Sequence, residues 1–120
     1  MMSALLQGKV VSVDHNEKTE LEEYQDWVRE NVYGDDFGVP LLIMSNAFGG
    51  EAGELMNVIK KVYRDDKGVV TKARKQDIIS ELGDNIWYIA AICNEIGVTL
   101  DEVIENNIQK INERRYGKAA

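Results

Sequence analysis

From Thr19 onward the chain is written in a period of about 3.6 residues, interrupted by short polar clusters and punctuated by helix caps. Thr19 with Glu22, and Thr99 with Glu102, read as capping boxes, in which a threonine oxygen and a glutamate satisfy first-turn N–H groups. Gly97 is well placed to end a helix that opens at about Thr71 or Lys72. The only proline, Pro40, stands where a first helical turn accepts it. From there the pattern continues to about Arg64, and the adjacent Gly49 and Gly50 are expected to bend or loosen it. Helices are thus predicted from Thr19 to about Tyr33, from Pro40 to about Arg64, from about Lys72 to Ile96 and from Thr99 to about Arg115. GDDFG and RDDKG supply two of the connections. Four helices with short links predict an all-α, four-helix bundle-like domain.

That domain takes in residues 19–116, between an N-terminal arm, 1–18, and a C-terminal tail, 117–120. The arm holds a brief Val10, Val11, Val13 alternation and the sole histidine, His15, which is expected at the surface. A chain of 120 residues with 44% hydrophobic content can bury one core. Its formal charge of −7 argues against a nucleic acid polymer as partner, because phosphates would be repelled. No apolar run is long enough for a membrane span and no secretion signal opens the chain, so a cytoplasmic protein is expected. The single cysteine, Cys93, falls on an apolar helical position and is expected to be a small buried hydrophobe.

Two acidic pairs carry the chemistry: Glu51 and Glu54 in GGEAGEL, and Glu81 and Asp84 in SELGDNIWY. Each is spaced i, i+3, which puts both carboxylates on one side of a helix. Acidic pairs on helices ordinarily face water, but the phase of these two argues otherwise. On the second helix the apolar stripe is Phe48, Ala52, Leu55, Ile59 and Val62, with Glu51 at its border and Glu54 one step further round. On the third, Ile78, Leu82, Ile89, Ile92 and Ile96 form the stripe, Glu81 lies at its edge beside Asn85 and Tyr88, and Asp84 sits one step out. Carboxylates beside a buried stripe are costly unless a cation or hydrogen bonds compensate them. An all-oxygen donor set without histidine or cysteine favours Mg²⁺, with Mn²⁺ as a substitute, over iron or zinc.

Basic and aromatic groups complete the expected site. Lys61 lies two turns after Glu54 on nearly the same face, whereas Lys60 points elsewhere; Asn107, Lys110 and Arg114 share a face of the last helix and make a plausible clamp for phosphate oxygens. Gln25, Trp27, Trp87 and Tyr88 are candidates for contacts to a base. Of these, Trp87 is read as falling opposite the carboxylates of its helix, which favours core or subunit packing. Apolar residues wrap more than half of the third helix, including Ile86, Trp87, Ala90 and Cys93, and this implies a second subunit.

With Glu51-Ala-Gly-Glu54 and Glu81-Leu-Gly-Asp84 in order, the sequence resembles the MazG-like members of the all-α nucleoside triphosphate pyrophosphohydrolases. EYQDWV, VIKKVYRDD, ELGDNIWYIAAICNEIGVTLDEV and NIQKINERRY agree with that resemblance, which covers about residues 19 to 116. The N-terminal arm and the Gly49-Gly50 step depart from it. The resemblance implies Mg²⁺-dependent hydrolysis of nucleoside triphosphates, dNTPs foremost, to the monophosphate and pyrophosphate. It implies metal ligands at Glu51, Glu54, Glu81 and Asp84, with Glu51 or Glu54 as base, and a MazG fold whose core is completed in a homodimer or homotetramer. Three other readings compete: a phosphoribosyl-ATP or dUTP-specific enzyme of the same superfamily, with the same metal chemistry and another base pocket; hydrolysis of the alarmone (p)ppGpp, which needs more basic groups than the sequence offers; and a non-catalytic helical module that binds a cation for stability.

Overall fold

The computed structural model describes residues 17–32 and 40–118. Residues 1–16 of the expected arm 1–18, with its valine alternation and His15, lie outside the described residues, as does GDDFG. Among the described residues there are four helices and no strand: α1 Glu20–Glu30, α2 Pro40–Asp65, α3 Lys72–Ile96 and α4 Leu100–Tyr116. None is long and apolar enough to cross a membrane.

The caps set these boundaries. The Thr19 hydroxyl accepts from the Glu22 N–H at 3.1 Å and donates to Asp101 at 2.7 Å, so one side chain opens α1 and ties it to α4. Helix α1 stops short of the expected Tyr33, because Asn31 caps it: the Asn31 amide donates to the Trp27 carbonyl and its backbone N–H to that of Val28. Helix α2 runs unbroken through Gly49 and Gly50, so the expected loosening there does not occur. It takes in Arg64 and Asp65, and the turn proper is carried by Lys67 and Gly68, at φ of 56° and 78°. Asp66 then receives the Arg74 guanidinium at 2.8 Å, a half-buried pair that holds the start of α3 against the end of α2. Thr71 caps α3 through the Arg74 N–H. Gly97, at φ 74°, ends it in a Schellman arrangement, with Val98 N–H on the Cys93 carbonyl. The Thr99–Glu102 box is complete in both directions.

Helix α3 is the centre of the fold, packing along α2 on one side and against α1 on another, while α4 packs on α1. Val28, Met44, Ala90, Ala91, Cys93 and Leu100 form the core, so Cys93 is the buried hydrophobe expected. Gln25 is buried at the joint of three helices. Its amide donates to Asn94 and to the Val98 carbonyl, both at 3.0 Å, while its oxygen accepts the Leu100 N–H at 2.6 Å. That N–H is one of the groups a helix start leaves without an intrahelical partner.

The buried seam is rotated from the predicted stripes. On α2 it follows Met44, Val58 and Val62, with Glu51 on the same line between Met44 and Val58, while Ile59 is 40% exposed. On α3 the buried Asn85 and half-buried Ile78 and Glu81 face α2, and Leu82 and Ile96 are 45% and 56% exposed. Periodicity locates an apolar stripe but not which of its flanks meets the neighbouring helix.

Candidate active site

The antiparallel α2–α3 pair brings carboxylates from two distant sequence segments together. One oxygen each from Glu51, Glu81 and Asp84 lies within 4.8 Å of the others. Glu54, the fourth expected ligand, is exposed and outside this triad, although its charge is felt at Glu51. The register is fixed by Asn85, whose amide donates to the Glu81 carbonyl at 2.7 Å and across the seam to the Glu51 carbonyl at 3.2 Å. The amide nitrogen buried there bonds on both sides of the seam, and it holds the two acid-bearing turns level.

The cluster is electrostatically uncomfortable by itself. Burial pushes the Glu51 carboxyl above its ordinary range, and the charges of Asp84, Glu81 and Glu54 push it further. The Tyr24 phenol of α1 is likewise raised, mainly by burial and also by the Asp84 charge, which puts α1 beside the acidic turn. Three converging oxygen donors with surplus negative charge fit a hard divalent cation.

Beside the triad lies an open surface pocket of about 270 Å³ lined by Glu51, Asp84, Trp87 and Tyr88. Trp87 is therefore not opposite the carboxylates. At about 100° per residue it stands about 60° from Asp84, a relation that the i, i+3 spacing already contained. Gln25 is corrected too: its donors and acceptor are committed to the joint of α1, α3 and α4, which makes it a structural residue. Trp27 is half-exposed and stacks on Tyr24, with ring centroids 5.9 Å apart. Lys61 is half-buried on α2; Lys110 and Arg114 are exposed on α4, and none of the three lines the cavity. The sequence reading passed over Asn85 as a positioning residue, although its place four residues after Glu81 was the available signal.

The model of the MazG nucleotide pyrophosphohydrolase domain family matches residues 42–116, which take in most of α2 and all of α3 and α4. The chain belongs to the MazG nucleotide pyrophosphohydrolase family. It is 42% identical over 66 residues to the Gene 37 protein of Mycobacterium phage L5, a match covering 55% of this chain and 58% of that one. It is 33% identical over 69 residues to the uncharacterized protein YvdC of Bacillus subtilis (strain 168), covering 53% of this chain and 65% of YvdC. The chain thus spans about six-tenths of the length of the curated relatives it matches. No solved structure matches it.

Proposed function

We propose that this protein is a nucleoside triphosphate pyrophosphohydrolase that uses Mg²⁺, or Mn²⁺ in its place, to split dNTPs into the monophosphate and pyrophosphate. The observation that carries this reading is the convergence of Glu51, Glu81 and Asp84 from two helices in a chain of the MazG family. Glu54, one turn from Glu51, joins them as the fourth ligand by turning its exposed side chain inward. Glu51, Glu54, Glu81 and Asp84 would hold the Mg²⁺, which would supply positive charge to the triphosphate and a water of lowered pKa. One carboxylate, Glu51 or Glu54, accepts the water's proton, and Lys61, Lys110 and Arg114 are the cations that hold phosphate oxygens. No side chain serves as a covalent nucleophile; the chemistry requires positioning and charge stabilisation. The cytoplasm is the compartment that supplies such substrates.

The working unit in this reading is a homodimer, or a tetramer built from it. Met56, Ile59 and Tyr63 on α2, and Ile79, Leu82 and Ile86 on α3, repeat at i, i+3, i+7 and are exposed in the single chain. Leu82 and Asp84 point about 200° apart around α3, so a second copy seated on this patch leaves the acidic side open. Uncovered apolar patches of this kind mark association surfaces.

Pyrophosphate release from a panel of NTPs, dNTPs, dUTP and (p)ppGpp, with Mg²⁺ and with chelator, tests the activity. Metal-dependent release from a dNTP is the expected result. A folded protein that binds Mg²⁺ and releases nothing overturns the reading in favour of a cation-stabilised binding module, and release from (p)ppGpp alone overturns the substrate assignment.

A further inference from the structure

We infer that Trp87 is a substrate-contact residue: its indole forms the wall against which the nucleoside half of the substrate rests while the phosphates lie at the acidic triad. The inference rests on the pyrophosphohydrolase reading and deepens it. Trp87 is only partly buried. Part of its surface packs against the hydrophobic core, and part lines the same pocket as Glu51 and Asp84. It follows Asp84 by one helical turn, about 4.5 Å along the α3 axis, which separates a phosphate end from an aromatic end within one continuous space. Tyr88 meets it edge-on with ring centroids 5.0 Å apart, and the core holds it from behind, so the ring is fixed before a ligand arrives. A rigid indole offers a flat apolar face that accepts any base or sugar, and an N–H to orient it. It thereby secures the nucleoside without taking part in the phosphoryl chemistry.

Two variants, Trp87→Leu and Trp87→Phe, test this in the full chain. Loss of an aromatic stacking face raises KM for a dNTP about tenfold or more. The expectation is that Trp87→Leu does so with kcat changed less than about threefold, and that Trp87→Phe recovers most of the loss. Inhibition by inorganic tripolyphosphate, which has phosphates and no nucleoside, stays as in the wild type. Independently of turnover, an α,β-imido dNTP with Mg²⁺ should change the protein's tryptophan emission, and Trp87→Phe should remove that change while calorimetry still detects binding. An unchanged KM, an emission change that survives in Trp87→Phe, or equal weakening of dNTP and tripolyphosphate would each assign Trp87 to packing alone. A wild type that turns over no nucleoside triphosphate refutes the activity itself, a different result from a wild type that turns over normally beside a Trp87→Leu variant with the same KM.

Discussion

Neutralising Glu51 should make the metal-free protein more stable, an unusual outcome for a substitution in a helix seam. Glu51 faces both Glu81 and Asp84 with oxygens no more than 4.8 Å apart. At that separation two unit charges repel by about 0.9 kcal/mol in a water-like dielectric and about 3.5 kcal/mol at an effective dielectric of 20. Glu51 takes part in two such pairs but is partly solvated and can rotate away, so the lower figure governs: about 1–2 kcal/mol is released by Glu51→Gln. For a domain of this size that corresponds to a rise in Tm of about 5–10 °C. The assay is thermal unfolding in chelator at pH 7 and low salt, at fixed protein concentration because association also shifts Tm. Adding Mg²⁺ should reverse the order, raising the wild type and not the variant. The pH dependence has a definite sign. The folded-state carboxyl of Glu51 is raised, so its cost is present at neutral pH and disappears as pH falls through its folded and then its unfolded range. The gap between variant and wild type should therefore close on acidification. Asp26 and Asp65, held low by Lys18 and Arg29 and by Arg64, act in the opposite sense and are common to both proteins. A metal-free Glu51→Gln protein that melts at or below the wild-type temperature, with no narrowing at low pH, would refute the reasoning.

Other perturbations separate site from scaffold. Glu54→Gln and Asp84→Asn should each abolish Mg²⁺-dependent pyrophosphate release while circular dichroism stays helical, and wild-type turnover in either removes that residue from the metal set. Gln25→Leu leaves the Leu100 N–H and the Val98 carbonyl without their side-chain partner and should cost about 2–4 kcal/mol in urea unfolding, reflecting the loss of several buried hydrogen bonds. Gly49→Ala meets no atom within 4 Å of the new Cβ and sits inside α2, so stability should rise by about 1 kcal/mol. Leu82→Lys should convert the proposed dimer to monomers by light scattering, and an unchanged mass would place the subunit contact elsewhere.

The sequence by itself determined the four helices and the ends that carry a threonine or glycine cap, while the end of α1 fell short of its expected place. Thr19, Thr71, Gly97 and Thr99 act on backbone groups within four residues of themselves, so their effect is legible without knowing the fold. The i, i+3 acid pairs are local in the same sense, and the spacing alone put each pair on one side of its helix. What only the tertiary structure decided is every relation between helices. The apolar stripes of α2 and α3 are wider than one contact, and the part that meets inside the chain runs through Glu51 and Asn85, leaving Ile59, Leu82 and Ile86 outward. Glu54 was indistinguishable from Glu51 by spacing, yet the seam draws in one and leaves the other in solvent. Gln25 looked like a ligand contact until three helices closed on its amide, and Trp87, which packs on the core as expected, also lines the pocket beside Asp84. A helical repeat fixes angles around one axis; which angle faces a partner is set by long-range packing, which no local spacing encodes.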